Sequence, residues 1–422
     1  MRKFAGPLIS RIPVLAAVVT LLLILGIGTL KHGSLEAAWH PLHIPSTSPG
    51  FMDTRTVTHS IDCLQTGENP YFVRSCDPWH RLYNYPPIWL DLRYLGVTSR
   101  STNFVGITLA LLLVVSSLLL FRAKTWLAAA VVFLALTSRA TSFGLERGNI
   151  DQLIFASLVF GFFLIDRQQS HRTISLNELF SALLIVLLTI LKIYPVVGAI
   201  IFLRSRNGLL KTVLTAVAAI AALLLTSGHD LALLLANTPL DYMMSFGAFP
   251  FFLAIVNLII PSSQSFFVLH RSVAPVAAIL LAALSLTAAF LFRNRLQQIL
   301  PHLDPDHARG RIAICGLAIF AFAFTFGASY NYRLVFLFGP LAYLVEDLNT
   351  KRSYRALLLA IPILGLMWGP FSVSLIHEIP DGLVFILAIA WLATSLLLPA
   401  PNNEAVPPHA AENPPIKLIP SR

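Results

Sequence analysis

Positively charged side chains stand at the ends of several apolar runs of this sequence. Lys192 follows a long uncharged run and precedes Tyr194 and Pro195, where the proline breaks a helix. Arg333 lies in the segment GASYNYR, between two further apolar runs. Ionisable groups at the edge of hydrocarbon usually face the bundle interior or a water-filled cavity, where such cations stabilise phosphate. The pattern predicts binding of a membrane-embedded anion such as a lipid phosphate; the alternative for both residues is snorkelling from a lipid-facing surface.

A second polar segment, SRATSFGLERGNIDQ, is predicted to form an outer turn that opens a helix. Its arginines, Arg139 and Arg147, are candidate phosphate ligands, and a helix terminus there would assist them. The alternative is that both arginines are loop charges that pair with Glu146 or Asp151. Further polar residues follow later in the chain, namely His229, Asp230, Asp241, His270, Arg271 and Tyr330.

Carboxylates collect in the segment 31–102, the one long stretch of the sequence that is not apolar. Asp53, Asp62 and Asp77 lie there, and each offers a general base that could take a proton from a hydroxyl. Asp62 and Asp77, with Asp151, could instead bind a divalent cation through oxygen ligands. The spacings typical of zinc sites are absent, and we expect neither a metal nor another cofactor.

The three cysteines divide between this segment and an apolar run. Cys63 and Cys76 are thirteen positions apart in the segment 31–102. If the segment faces an oxidising compartment they form a natural disulfide; the alternative is two unrelated free thiols. Cys315 lies in an apolar run and is predicted to be a small core residue.

An aromatic, turn-forming stretch, YNYPPIWL, runs from Tyr83 to Leu90. One interpretation is an interfacial belt that holds the loop at the depth of the lipid headgroups. The other is a rigid wall, with Tyr85 and Trp89, that shapes a site for a sugar or a lipid headgroup. The residues alone favour neither interpretation.

Composition shows which elements must position these residues. Of the 422 residues, 56% are hydrophobic and only 12% are charged, whereas a soluble domain has about 25% charged residues. Lipid must therefore cover much of the apolar surface, and we expect an all-α, polytopic bundle with about ten to twelve spans. The candidate spans are 12–30, 103–121, 126–138, 150–165, 179–192, 193–203, 212–226, 272–292, 312–329, 334–345, 356–376 and 382–398.

The basic pairs between these runs predict the orientation. They fall on one side of the bundle, which the positive-inside rule makes cytoplasmic, together with both termini: Arg122/Lys124, Arg167/Arg172, Arg204/Arg206 and Lys351/Arg352. The segment 31–102 then lies outside the cytoplasmic membrane. The stretch 246–270 is predicted to be re-entrant or interfacial. We expect one membrane domain over 1–398 and a disordered, proline-rich cytoplasmic tail over 399–422.

Several of these short motifs occur together in a recognisable order. They are the aspartate of GFMD, a following YPP, the RGNID turn that opens a helix, the KIYP helix break and the late YNYRLVF segment. In this order and spacing, over roughly residues 50–345, the chain resembles glycosyltransferase family 87. That family has the GT-C membrane architecture and includes mycobacterial mannosyltransferases.

The resemblance implies an activity and a set of roles. The enzyme would transfer a hexose or pentose, with a mannose type as the first candidate, from a polyprenyl-phosphate donor to a lipid or glycan acceptor, with inversion. Asp53 would be the general base, with Asp62 and Asp77 as alternatives. The donor phosphate would bind Lys192, Arg147 and Arg333, and secondarily Arg139, Arg81 and His270. The candidate ligands of the sugar or acceptor are Tyr85, Trp89, Asn149, Asp151 and Tyr330.

Three other classes of function remain open from the sequence. One is a lipid-linked oligosaccharide polymerase or ligase, although the main loop of such proteins usually comes late in the chain. Another is a secondary transporter of an anionic solute, which predicts charges near the midplane and symmetric halves. The third is a non-catalytic scaffold. Nucleotide-binding motifs are absent, which fits a lipid-borne donor, and we expect no nucleic-acid partner.

Overall fold

The computed structural model describes residues 9–168, 174–239, 241, 243–259, 264–326, 329–350, 354–372 and 375–398. Within these ranges, the side chains at 167–168, 174–175, 258–259, 264–272 and 375 are not described. The tail 399–422 and the side chain of His270 therefore lie outside the described residues.

The described chain is almost wholly helical. The helices are α1 (Ile12–His32), α2 (Met52–Gln65), α3 (Thr102–Leu120), α4 (Trp126–Leu136), α5 (Arg139–Arg147), α6 (Asp151–Gln168), α7 (Ile174–Leu191), α8 (Gly208–Ser227), α9 (Leu231–Asn237), α10 (Ala248–Ile259), α11 (Gln264–Leu291), α12 (Arg293–Ile299), α13 (Ala308–Thr325), α14 (Phe338–Thr350), α15 (Tyr354–Trp368) and α16 (Leu375–Leu396). Short 3₁₀ helices join them at Ile9–Arg11, Ala37–Leu42, Arg74–Cys76, Pro87–Leu95, Ser99–Ser101, Tyr194–Phe202 and Asn331–Leu337. Two short strands, β1 (Ser245–Phe246) and β2 (Ser329–Tyr330), pair antiparallel.

Seven helical stretches in the described ranges are long and apolar enough to cross a bilayer: Ile9–His32, Ser99–Leu120, Trp126–Arg147, Gly208–Ser227, Val273–Leu291, Ala308–Thr325 and Ile376–Leu397. Shorter apolar helices occupy Leu176–Leu191, Ala248–Asn257 and Tyr354–Trp368. The all-α, polytopic architecture is thus confirmed. The number of crossings, ten to twelve, stays a prediction.

Burial separates a central helix from peripheral ones. Helix α13 is buried almost all round, and glycines let its backbone approach α14 and the 3₁₀ helix before it closely. A Cβ atom at Gly316 would lie 2.2 Å from the carbonyl oxygen of Phe336, and one at Gly339 would lie 2.6 Å from that of Ile312. By contrast, α1 and α8 expose large apolar side chains, including Leu30 and Leu225, each 88% exposed. Such surfaces require a hydrocarbon environment.

The structure changes three sequence predictions of local structure. The predicted outer turn at 139–147 is instead the helix α5, which Ser138 caps by accepting a hydrogen bond from the Thr141 N–H. The stretch 193–203 forms a 3₁₀ helix, Tyr194–Phe202, whose length of about 18 Å is too short to cross a bilayer alone. The segment 246–270 is divided among β1, α10 and the start of α11, which begins at Gln264 rather than at 272.

The polar segment 31–102 is folded onto the bundle by buried aromatic residues and hydrogen bonds. Tyr71 and Tyr83 are almost fully buried and pack edge to face, with ring centroids 5.1 Å apart. Asn237 of α9 donates hydrogen bonds to the carbonyl oxygens of both tyrosines. A disulfide joins Cys63 to Cys76, and Cys315 is a buried free thiol in α13. These contacts make the segment a fixed part of the fold.

Removing this disulfide should destabilise the segment. We expect Cys63→Ser to lower the free energy of unfolding by about 3 kcal/mol, because the bond closes a loop of about fifteen residues. Thermal unfolding of the purified protein, followed by tryptophan fluorescence, measures the change. As a control, Cys315→Ser removes a thiol outside the segment. An unchanged melting temperature in Cys63→Ser, or maleimide labelling of native wild-type Cys76, would contradict the expectation.

Candidate active site

Asp53 lies in the first turn of α2 and is buried, since the residue as a whole is only 7% exposed. The side-chain amide of Asn149 donates to Oδ2 of Asp53 at 2.6 Å, and Nη1 of Arg81 lies 3.6 Å from Oδ1. The hydrogen bond and the ion pair fix the direction of the carboxylate. The site thus holds a buried aspartate with one amide and one guanidinium group beside it.

The start of α2 is docked on the end of α5, and this contact positions Asp53. The Phe51 N–H donates to the carbonyl oxygen of Glu146 at 3.0 Å, and the Thr54 hydroxyl donates to that of Gly148 at 2.6 Å. Gly148 has φ +56°, in the left-handed region where glycine is favoured. The RGN motif therefore ends α5 and brings Asn149 against Asp53.

Gly148→Ala should disrupt this contact. The new Cβ would lie 2.5 Å from the Thr54 hydroxyl oxygen and 2.9 Å from the Phe51 ring, at a φ that side chains rarely adopt. We expect a loss of about 1–3 kcal/mol in the free energy of unfolding from the left-handed strain and the lost hydrogen bond. Differential scanning calorimetry of the purified protein measures it.

Gly365→Ala is the matched control, because Gly365 lies within α15 and its Cβ would meet only the Pro380 side chain, at ordinary distances of 3.9 and 4.0 Å. That change should be neutral or stabilising, since alanine is the better helix former. Equal melting temperatures for the two variants would show that the junction of α2 and α5 tolerates a side chain.

The other two candidate bases have structural hydrogen bonds. Asp77 is 1% exposed and accepts from the Thr56 hydroxyl at 2.7 Å and from Nη2 of Arg81 at 2.9 Å. Asp62 accepts the Ser99 N–H at 3.1 Å and so holds the 3₁₀ helix Ser99–Ser101, which directly precedes α3. Asp53 differs from both, because it lies close enough to Tyr85 and Tyr332 for its charge to raise the pKa of their hydroxyls. Sequence reasoning missed the hydrogen bonds among Thr56, Asp77 and Arg81.

A second group of residues surrounds Asp151, which is 1% exposed at the start of α6. Its Oδ1 accepts hydrogen bonds from the Lys192 ammonium and, at 2.6 Å, from the Tyr194 hydroxyl. Nε of Arg333 lies 3.5 Å from Oδ2. The two cations that the sequence singled out, 141 positions apart in the chain, thus share one buried carboxylate.

Tyrosine rings enclose the ammonium group of this cluster. Nζ of Lys192 lies 5.6, 5.7 and 5.9 Å from the ring centroids of Tyr85, Tyr194 and Tyr332. These distances are within the range of cation–π attraction. Tyr194 and Tyr332 were not among the site residues predicted from the sequence. Tyr194 is two positions after Lys192 in the motif KIYP, and Tyr332 directly precedes Arg333 in the motif YNYR.

Tyr85 joins the two groups into one site. Burial raises the pKa of its hydroxyl well above the ordinary value; the Asp53 and Asp151 carboxylates add to this rise, and Arg81 and Arg333 oppose it. Burial and the same two carboxylates also raise the pKa of Tyr332. Both side chains therefore stay neutral phenols near pH 7, suited to hydrogen bonding rather than to proton abstraction.

The predicted cations Arg147 and Arg139 have different surroundings. Arg147 is 6% exposed, pairs with Glu146 at 3.2 Å and donates to the Pro45 carbonyl oxygen, so its guanidinium is already partnered. Arg139 begins α5 and lies about 12 Å along the helix axis from Arg147. The two arginines, grouped in the sequence, are thus held apart by α5. Among the described residues, Arg139 has no ion pair.

The two predicted sugar or acceptor ligands not yet described, Trp89 and Tyr330, also have defined contacts. Trp89 is 8% exposed, and its indole N–H donates to the Leu191 carbonyl oxygen at 3.0 Å, which fixes the YPP loop beside Lys192. Tyr330 stacks on Tyr332 with ring centroids 5.3 Å apart. Trp89 therefore supports the wall of the site, and Tyr330 extends the tyrosine cluster toward Asp53.

Fold and site together define a multi-pass membrane protein with buried acidic and cationic groups at one end of an all-α bundle. The sequence model of glycosyltransferase family 87 matches residues 83–298, about half of the chain. The chain belongs to this family and is a membrane glycosyltransferase. The matched segment contains Tyr85, Asn149, Asp151 and Lys192, whereas Asp53, Arg81 and Arg333 lie outside it. A search of curated proteins gives no match.

Proposed function

We propose that this protein transfers a sugar from a polyprenyl-phosphate donor to a hydroxyl acceptor by a single inverting displacement. The observation that carries the proposal is that a buried carboxylate, Asp53, and the Lys192–Arg333 pair both lie near Tyr85. One group suits proton removal, and the other suits a departing phosphate. Following the family resemblance, the donor sugar is a mannose-type hexose, with arabinofuranose as the pentose alternative.

In the proposed reaction the acceptor oxygen attacks the anomeric carbon while its proton passes to Asp53. The bond from the anomeric carbon to the phosphate oxygen breaks, and its electron pair stays with the lipid phosphate. Lys192 and Arg333 stabilise the charge on that leaving group. A single attack from the face opposite the phosphate inverts the anomeric configuration. Asn149 and Arg81 orient the Asp53 carboxylate.

We place this site on the extracytoplasmic side of the cytoplasmic membrane, with both termini inside. The Cys63–Cys76 disulfide belongs to the same segment as Asp53, and disulfides persist in oxidising compartments. The basic pairs, such as Arg204/Arg206, lie between spans on the side that the positive-inside rule makes cytoplasmic. Both arguments support the same orientation.

The proposal is tested by transfer from a panel of radiolabelled polyprenyl-phosphate sugars to a membrane lipid extract. The purified protein in nanodiscs should release polyprenyl phosphate and label a product with one donor of the panel. Product stereochemistry, determined by NMR of the anomeric proton, should be opposite to that of the donor. Failure with every donor, together with uptake of an anionic solute into proteoliposomes, would favour a transporter.

We further expect transfer to require no divalent metal, because two side-chain cations already stand at the proposed phosphate position. Transfer measured after dialysis against EDTA should equal that of untreated protein. A loss of activity that Mg²⁺ or Mn²⁺ restores would contradict this expectation and direct attention to Asp151 and its neighbours.

A further inference from the structure

An apolar groove of about 790 Å³ runs between α1 and α3. Its walls carry side chains that are more than half exposed, including Leu22 of α1 and Ile107 and Leu111 of α3. In a bilayer these side chains face hydrocarbon, so the groove is open to lipid along its length. The apolar side chains that line the groove suit alkyl chains rather than a polar solute.

One end of this groove is polar and acidic. Glu36 and Glu146 lie there with Gly50, and Glu36 Oε1 accepts the Gly50 N–H at 3.3 Å. Glu146 is 2% exposed, and its Oε2, although 3.2 Å from Nε of Arg147, accepts no hydrogen bond in the described part of the chain. This buried carboxylate oxygen, held by an ion pair alone, can accept a hydrogen bond from a ligand hydroxyl.

The acidic end also adjoins the proposed base. Gly50 and Phe51 line the groove and directly precede α2, whose first turn carries Asp53. No lysine or arginine is among the residues lining the groove. Behind this lining, Arg147 pairs with Glu146 and donates to the Pro45 carbonyl oxygen, and Arg55 donates to the Gly50 carbonyl oxygen, so both guanidinium groups are already held by acceptors of the protein. A phosphate headgroup would therefore face two carboxylates and compete for cations that are already partnered, whereas an uncharged polyol would find hydrogen-bond acceptors.

We infer that this groove binds the hydrocarbon chains of a lipid acceptor whose headgroup is uncharged and hydroxylated. The inference rests on the proposed function and narrows its acceptor to a neutral glycolipid-type molecule. The chains lie between α1 and α3, and the carboxylates of Glu36 and Glu146 receive headgroup hydroxyls. One hydroxyl then reaches Asp53, while the donor phosphate occupies the separate cationic position at Lys192 and Arg333.

Photocrosslinking tests the binding site independently of transfer. Two probes carry the same diazirine-labelled acyl chain, one a glucosyldiacylglycerol and the other phosphatidylglycerol, and the full-length protein is held in nanodiscs. We expect the neutral probe to label peptides of α1 and α3 about tenfold more than the anionic probe. Equal labelling by both probes would overturn the assignment of a neutral headgroup.

Variants locate the label within the groove. Gly26 lines the groove, and a Cβ there would meet no atom within 4 Å, so Gly26→Phe should fill the groove without disturbing the core. It should reduce labelling about tenfold. Leu23→Phe, on the same helix but outside the groove, should have no effect. Glu36→Lys should remove the preference between the probes. Unchanged labelling in Gly26→Phe would overturn the site.

A kinetic measurement then tests the acceptor role. Gly26→Phe should raise KM for the neutral glycolipid about tenfold and leave kcat and the donor KM unchanged. A raised donor KM would assign the groove to the donor chain and overturn the inference. If no donor of the panel supports transfer but the crosslinks are as expected, the proposed function fails while the lipid site stands. If transfer occurs with no crosslink in α1 or α3, the inference alone fails.

Discussion

Replacing Asp53 with asparagine should reduce transfer by about 10²–10⁴-fold, the range that a positioned general base contributes. The amide cannot take the proton of the acceptor hydroxyl, although it has nearly the size of the carboxylate. The side-chain amide of Asn149 donates to Oδ2 of Asp53 at 2.6 Å in the wild type. The amide oxygen of the variant can still accept this hydrogen bond, so the fold should persist. Initial rates with saturating donor, and a melting temperature for each protein, measure the two effects.

Asp62→Asn is the matched control, because it removes a carboxylate from the same helix, α2. Its amide oxygen can still accept the Ser99 N–H that Asp62 now accepts. Transfer by this variant should equal that of the wild type. If Asp53→Asn instead keeps more than about a tenth of the activity, less than the contribution of a general base, the base lies elsewhere and Asp77 is the next candidate.

Lys192→Met should reduce transfer by about 10²-fold or more, as the loss of one group that stabilises developing negative charge does. Methionine keeps much of the apolar stem among the three tyrosine rings but removes the ammonium group. The same change should weaken inhibition by polyprenyl phosphate, the proposed product. Inhibition constants for polyprenyl phosphate and for uncharged polyprenol, measured side by side, separate the charge from the chain.

Inhibition by polyprenol should be the same in the wild type and in Lys192→Met, because the surface that binds the polyprenyl chain is unchanged. As a matched control, Lys211→Met removes an ammonium group that pairs with Glu178. Glu178 lies near the start of α7, whereas Lys192 directly follows the end of that helix. That variant should retain wild-type transfer. Equal loss in both lysine variants would indicate a general effect of removing charge, and an unchanged phosphate inhibition constant in Lys192→Met would place the phosphate elsewhere.

Much of this fold follows from the sequence, because long apolar runs with few charges have no stable position except in lipid. The span predicted at 193–203 shows where the sequence falls short. The composition there is apolar enough for a span, but the residues form a short 3₁₀ helix in which Gly198 packs against Cys315 of α13. Local composition does not contain such tertiary contacts.

The candidate site shows the same division between local and long-range information. Lys192 and Arg333 could be selected from the sequence, because a charge beside hydrocarbon is costly unless it has a partner. Their common partner, Asp151, could not be selected, since the contact joins three distant segments. The hydrogen bonds of Asp77 with Thr56 and Arg81 likewise depend on how the loop folds back on α2.

Asp151 gives the cationic position an internal counter-ion, and this has a consequence for turnover. If the proposed function holds, a lipid phosphate at Lys192 and Arg333 would compete with a carboxylate that never leaves the site. The competition would lower the affinity for every anion, including free phosphate and the spent carrier. After each reaction Asp151 would again take both cations, so that the carrier would dissociate without leaving unpaired buried charges behind. The residue that weakens binding of the proposed donor would thereby also limit inhibition by the product.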